Sequence, residues 1–358
     1  MIRKITLSDF RNYSNLFLAF NSKLNLILGE NGQGKTNLLE AIYYLAFLRS
    51  FRTNQTDLVK KVGSSSFYVG GEISYQDYKK ELQIFSGDKK KLLKIDGNCV
   101  TKASDFIGFI KPVVFTHDDI RLITCSARTR RRYLDILLTS IDKTYLNDLH
   151  NYLLALKSRN FILKSNNKEN HLISAYEPIL AKYGKKIIDA RYAIISNLLR
   201  KADSFLKKIK GDSFNLELEY HSRIKINHNT EEDILNILIS EREKDKVRTY
   251  TSIGPHMDDM FICLNGKNLK NYGSIGQCRI VALCIKMAEA EIIAEKESIS
   301  SIALIDDVTG ELDTKTKDAF YQVADKFSQV FYTFTRYSDE SVFNSASIFN
   351  VFEGVIKS

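Results

Sequence analysis

The chain has 358 residues, 44% of them hydrophobic, with 52 Lys and Arg against 43 Asp and Glu for a formal net charge of +9. That length supports a full core and two domains, while five cysteines with no Cys-x-x-Cys pair and no His/Cys cluster exclude a zinc site and a disulfide framework. No apolar run is long enough to span a bilayer and the N-terminus lacks an apolar h-region, so a reduced, cytoplasmic setting is expected, and the moderate basic excess permits nucleic-acid binding without requiring it.

In chain order, residues 2–20 predict two short strands around Asp9-Phe-Arg-Asn-Tyr13. The apolar run Leu26-Ile27-Leu28 then reads as a buried strand, and 37–48 as a long apolar helix without breakers. Phe67–Val69, Leu82–Phe85 and Leu92–Ile95 are further strand candidates, with Asp96-Gly97 signalling a type I′ turn. From about residue 118 helical spacing takes over, in Leu146, Leu149, Leu153 and Leu156 and again from Ile187 to Leu199. Segment 119–249 therefore reads as a mostly helical insertion, broken by a polar loop at 165–170 and a short strand at 214–220. After Tyr250 a hairpin is predicted over Met260–Leu264 and Lys267–Leu269 around Asn265-Gly266, then a buried helix over 280–294 and strands over 301–305 and 329–334.

Between the strand and the helix of the N-terminal third lies Gly29-Glu30-Asn31-Gly32-Gln33-Gly34-Lys35-Thr36, which satisfies the P-loop pattern Gly-x4-Gly-Lys-Thr. Glycines allow the tight turn that aims successive N–H groups at phosphate oxygens, and the helix that follows adds its positive end. Lys35 is expected to reach the β- and γ-phosphates of ATP, and the Thr36 hydroxyl to hold Mg²⁺. A P-loop also needs a metal-ordering acid at the tip of a neighbouring strand. The apolar run from Ser301 delivers Asp306 there, with Asp307 as the candidate general base, although two adjacent acids also suit a helix cap. Lys35 and Asp306 stand near opposite ends of the chain, so the nucleotide domain is split. Ser274-Ile-Gly276-Gln277, just before a helix, supplies a second small-residue turn at a helix start.

Asp9–Tyr13, Gly29–Thr36, Ser50-Phe-Arg-Thr53, Arg130–Asp135, Arg242-Glu-Lys-Asp245, Gly254-Pro-His256 with Asp258-Asp259, Ser274–Arg279 and Asp306–Asp313 together resemble, in order, the motifs of the RecF family of ABC-class, SMC-like ATPases. The resemblance spans nearly the whole chain. It implies an α/β ABC-type P-loop ATPase head, with lobe I of mixed sheets and helices formed by 1–118 and 250–358 and a mostly helical lobe II over 119–249. It also implies that Arg11 approaches the phosphates in cis, and that Ser274, Gly276 and Gln277 of one protomer meet the γ-phosphate bound by another. Asp313 would be the dimer-facing acid. An ATP-dependent homodimer would clamp DNA, assist loading of a RecA-type recombinase at single-strand gaps, work with RecR- and RecO-like mediators and be nucleoid-associated. Ile275 and Cys278 stand where the family usually carries glutamines, Met257 where Arg is common, His117-Asp118 in place of Pro-Glu, and Thr309 in place of a serine.

Arg128, Arg130, Arg131 and Arg132 form the densest basic run and are the candidate DNA contacts, though such runs are commonly solvated faces or pair with nearby acids. No helix-turn-helix or zinc-finger pattern appears, so sequence-independent backbone binding is expected. Slow hydrolysis fits this reading. An ATP-binding dimeric scaffold with negligible hydrolysis is the alternative, while the long basic insertion argues against a transporter subunit.

Overall fold

A computed structural model of the chain describes residues 1–75, 78–87, 90–165, 169–224, 230–296, 301–336 and 341–357. The chain forms two compact units, Met1–Asp119 with Glu289–Ser358, and Ile120–Ala288.

The first unit holds two six-stranded sheets. One is antiparallel, in the spatial order Tyr13–Ala19, Ile2–Phe10, Ser66–Tyr75, Tyr78–Gly87, Lys91–Ile95, Asn98–Val100. The other runs Val355–Lys357, Ser347–Phe352, Leu24–Leu28, Gln329–Phe334, Ser301–Asp306, Lys111–Thr116, parallel throughout except for its first strand. Its central strands are apolar runs buried along their length, as a parallel sheet covered on both faces requires. The helix Lys35–Phe47 packs on strands of both sheets, and every residue from Leu38 to Phe47 is buried. That explains a helix apolar on nearly every side, with Glu40 as the one charged residue in that buried stretch. Gly71 is the point of closest approach, since a Cβ there would lie 2.4 Å from Leu45 Cδ2.

Both predicted tight turns form, with φ of 49° and 80° at Asp96-Gly97 and 50° and 73° at Asn265-Gly266. The strand after Asn265-Gly266 is shorter than expected. It covers only Lys267–Asn268, because the Asn268 side chain accepts from Lys270 N at 3.0 Å and caps a short helix, Leu269–Tyr272.

The second unit is built on the helices Ala127–Ile141, Lys143–Lys164 and Glu177–Lys210, the last 34 residues long. A three-stranded sheet joins them, in which Asp259–Leu264 pairs antiparallel with Leu216–His221. This pairing changes the expected lobe boundary. Residues 250–288 belong with the helical unit rather than with the nucleotide lobe, and the return to the first unit falls at Glu289. Asn166, Asn167 and Lys168 of the predicted polar loop lie outside the described residues.

The core of the second unit is polar to an unusual degree. Arg159 is fully buried and donates to Asp245 at 2.7 Å, Thr251 at 2.8 Å and Glu177 at 3.1 Å. Burial alone would raise the Glu177 carboxyl, but hydrogen bonds from Arg242 and Arg159 hold it below its ordinary value. Arg191 bridges Asp135 at 2.7 Å and the Pro255 carbonyl at 2.6 Å. Burial lowers His256 to about 4, so its neutral ring donates through Nε2 to the Thr251 carbonyl and accepts from Tyr152 Oη through Nδ1. Arg242–Asp245 and His256 thus belong to one structural network, linked through Glu177, Arg159 and Thr251.

Candidate nucleotide site

The strand Leu24–Leu28 runs into the glycine loop, and Gly29, Gly32 and Gly34 take φ of 155°, 83° and 122°. At Gly34 the space is closed as well, since a Cβ would lie 2.6 Å from Asn12 Nδ2. Glu30, Asn31 and Gly32 are exposed at the rim, while Gly34 and Lys35 are buried. Lys35 Nζ donates to the Gly29 carbonyl at 2.6 Å and the Glu30 carbonyl at 2.9 Å. Burial lowers its pKa, and the charges of Asp307 and Asp306 oppose that shift. Gln33, Gly34, Lys35 and Thr36 occupy a helix start, whose first N–H groups have no intrahelical partner. The donor set suits a polyphosphate.

Asp306 ends its strand as the sequence predicts, but that strand is not the immediate neighbour of the P-loop strand. Gln329–Phe334 lies between them, with Thr333 in register with Asp306. Thr333 Oγ1 donates to Asp306 Oδ1 at 2.8 Å, and Thr36 Oγ1 lies 2.9 Å from both Asp306 carboxylate oxygens. Among the described residues, no cluster of three or more His, Cys, Asp and Glu could hold a metal ion. One hydroxyl and one carboxylate are nevertheless hard oxygen donors of the kind that would hold Mg²⁺. Asp307 is exposed and takes the left-handed φ of 56°. His117 Nε2 donates to its carbonyl at 2.9 Å, a contact across two strand ends that spacing did not reveal.

Arg11 departs from expectation. Its guanidinium lies bidentate on the fully buried Glu40, at 2.8 and 2.7 Å, and also donates to the Leu58 carbonyl, so it is committed to the protein rather than directed at the loop. Ser50 and Arg52 share the same carboxylate. The neighbour Asn12 does touch the loop, donating to the Gln33 carbonyl at 2.8 Å.

A family model described as the RecF/RecN/SMC N terminal domain matches residues 1–354. Proteins named DNA replication and repair protein RecF are similar, at 36% identity in Clostridium novyi (87% of each chain) and 34% in Clostridium kluyveri (99% of each). The chain belongs to the RecF family. A solved structure of the recombination mediator protein RecF with ATP, in the RecFOR pathway, superposes with a TM-score of 0.91 at 32% identity, covering 99% of this chain and 96% of that one. The Smc head domain of Pyrococcus furiosus shares the fold alone, at TM-score 0.55 and 15% identity. The α/β ABC-type head is therefore the architecture of this RecF-family chain.

The RecF-type signature residues lie in the second unit. Ser274 Oγ accepts from Gln277 N at 3.2 Å and Gln277 Oε1 accepts from Ser274 N at 2.9 Å, a reciprocal cap on the helix Ile275–Ala294. Ser274, Gly276 and Gln277 are exposed, and a Cβ on Gly276 would meet nothing. In the first unit Asp313 caps the helix Thr314–Ala324, accepting from Thr316 N at 2.9 Å.

The basic run of this RecF-family chain is corrected by its partners. Arg130 is buried and lies bidentate on Asp259 at 2.6 and 2.9 Å, with Nη1 donating to the Leu122, Ile123 and Cys125 carbonyls. Arg131 donates to the Asp258 carbonyl at 2.6 Å, and burial lowers its pKa. Arg130 is thereby committed to the protein, and Arg131 is half-buried. Arg128 is exposed, and Arg132 is half-buried on the same helix.

Proposed function

We propose that this chain is an ATP-dependent DNA-binding protein of recombinational repair and replication. ATP brings two heads together on DNA at single-strand/double-strand junctions or gaps, assists loading of a RecA-type recombinase, and is slowly hydrolysed. The observation that carries this reading is the convergence of Thr36, Asp306 and Thr333 beside the buried Lys35.

The chain's residues divide the work. Backbone N–H groups from Gly32 to Thr36 bind the phosphates, and Lys35 neutralises the β- and γ-oxygens. Thr36 and Asp306 would hold Mg²⁺, which offsets charge developing between the terminal phosphates. Asp307 takes the proton of the attacking water through its exposed carboxylate. The open helix start at Ser274 and Gly276 would meet the γ-phosphate held by a second copy, with Asp313 facing the same interface. DNA is held through its backbone, and RecR- and RecO-like mediators are the expected protein partners. The setting is cytoplasmic and nucleoid-associated, and no helix among the described residues is long and apolar enough to cross a membrane.

Fluorescence anisotropy of a labelled gapped duplex, with ATP, with ADP and without nucleotide, tests the clamp. Binding is expected to be tight only with ATP, and equal binding in all three states would sink the gating. If about six phosphates are contacted, affinity should fall roughly a thousandfold between about 50 and about 200 mM salt. Asp307→Asn is expected to keep ATP affinity and lose single-turnover cleavage by at least about a hundredfold, the size of a general-base effect. Absence of cleavage in the parent would favour the ATP-binding scaffold instead.

A further inference from the structure

The P-loop residues Gln33 and Gly34 are held by groups from two other segments of the chain, Asn12-Tyr13 and Glu353-Gly354. The Gln33 carbonyl accepts from Asn12 Nδ2 at 2.8 Å and from Gly354 N at 3.1 Å. The side chain of Gln33 is fixed too, its Oε1 accepting from Glu353 N at 2.6 Å. One residue on, the Gly34 carbonyl accepts from Leu38 N in the first turn of the helix at 3.1 Å and, as a second bond, from the fully buried Tyr13 hydroxyl at 2.9 Å. Burial pushes the Tyr13 phenol well above its ordinary value, so it remains a donor. Asn12 is itself oriented, because its Oδ1 accepts from Asn37 Nδ2 at 2.8 Å and Asn37 Oδ1 in turn accepts from Arg52 at 2.8 Å.

A peptide unit is planar and trans, so its C=O and N–H point in opposite directions. Fixing the Gln33 carbonyl therefore sets the direction of the Gly34 N–H, and fixing the Gly34 carbonyl sets that of Lys35. Both N–H groups stand at the open start of the helix, where the phosphates would sit. Glycine at position 34 leaves the preceding peptide plane free to rotate at small steric cost, whereas the following one is also engaged by the helix through Leu38 N. A flipped plane would present a carbonyl to the anion in place of a donor.

We propose that Asn12, Tyr13 and the Glu353-Gly354 turn are positioning residues that lock these two peptide planes in the phosphate-binding orientation. The fit is close on the turn side as well, since a Cβ on Gly354 would lie 2.7 Å from the Asn12 carbonyl oxygen. A turn near the chain's C-terminus thereby sets the affinity of a loop near its N-terminus. This rests on the nucleotide reading above.

The test uses the full chain with Tyr13→Phe, Asn12→Ala and, as a control, Lys35→Ala, each titrated with ATP and with AMP, which lacks the β- and γ-phosphates. Each of the first two variants is expected to weaken ATP binding roughly tenfold, the scale of one hydrogen bond to a charged group, and to leave AMP binding unchanged. Parental ATP affinity in both, while Lys35→Ala loses binding, overturns the lock and leaves the nucleotide site standing. Equal weakening of ATP and AMP overturns it too, because that signals general destabilisation. Full ATP binding by Lys35→Ala removes the reading on which the lock depends. Asn12→Ala keeps the experiment decisive if the buried Tyr13→Phe variant fails to fold.

Discussion

Lys35→Ala is expected to abolish measurable ATP binding while leaving the fold intact. The ammonium supplies charge-assisted hydrogen bonds to two phosphates, each of about 1.5–3 kcal/mol, so affinity should drop between about a hundredfold and ten-thousandfold. Stability should change little, because the amine donates only to two loop carbonyls and its burial already works against the charged form. Titration calorimetry and a thermal melt of the same sample separate the two effects. Unchanged ATP affinity would refute the P-loop assignment, whereas lost affinity with a collapsed melting transition would mean that Lys35 serves the fold.

Arg159→Ala should be the most damaging change to the second unit. Arg159 is fully buried, and its partners Glu177 and Asp245 are only 1% exposed. Removing the guanidinium leaves the Asp245 carboxylate without a cation in the interior, which costs about 3–5 kcal/mol. Arg242 still holds Glu177, but Asp245 keeps only Ser252. Lysine would not restore the site, since one ammonium cannot reproduce the fork that reaches Asp245, Thr251 and Glu177 together. Urea unfolding of the full chain measures the loss. A change below about 1 kcal/mol would mean that water or protonation satisfies Asp245, against the buried-pair argument.

Much of the nucleotide site is legible in sequence because its chemistry is contiguous. Gly29 to Thr36 need only their own spacing to declare a turn at a helix start, and Asp306 declares itself by ending an apolar run. The hidden parts are all contacts between distant segments. Thr333 reaches Asp306 only because Gln329–Phe334 lies between the two motif strands, a placement that no local pattern encodes. His117 and Asn12 likewise act on residues 190 and 21 positions away. The strands Lys111–Thr116 and Ser347–Phe352 also escaped notice, one opening with a proline at its second residue and the other short and polar at intervals.

Charge was the least reliable guide. Arg130 and Arg131 read as a basic surface, yet their partners lie 129 and 127 positions away, in a segment the sequence assigned to the other lobe. The same pairing of Leu216–His221 with Asp259–Leu264 moved the lobe boundary. The phosphate loop, the split α/β head and the helical insertion are legible from sequence alone, because periodicity and motif spacing are local properties of a chain. Tertiary structure alone decided which cations are spent on buried carboxylates and which carbonyls are pinned away from the phosphate site. Those outcomes depend on desolvation and hydrogen-bond geometry between segments that meet only after folding.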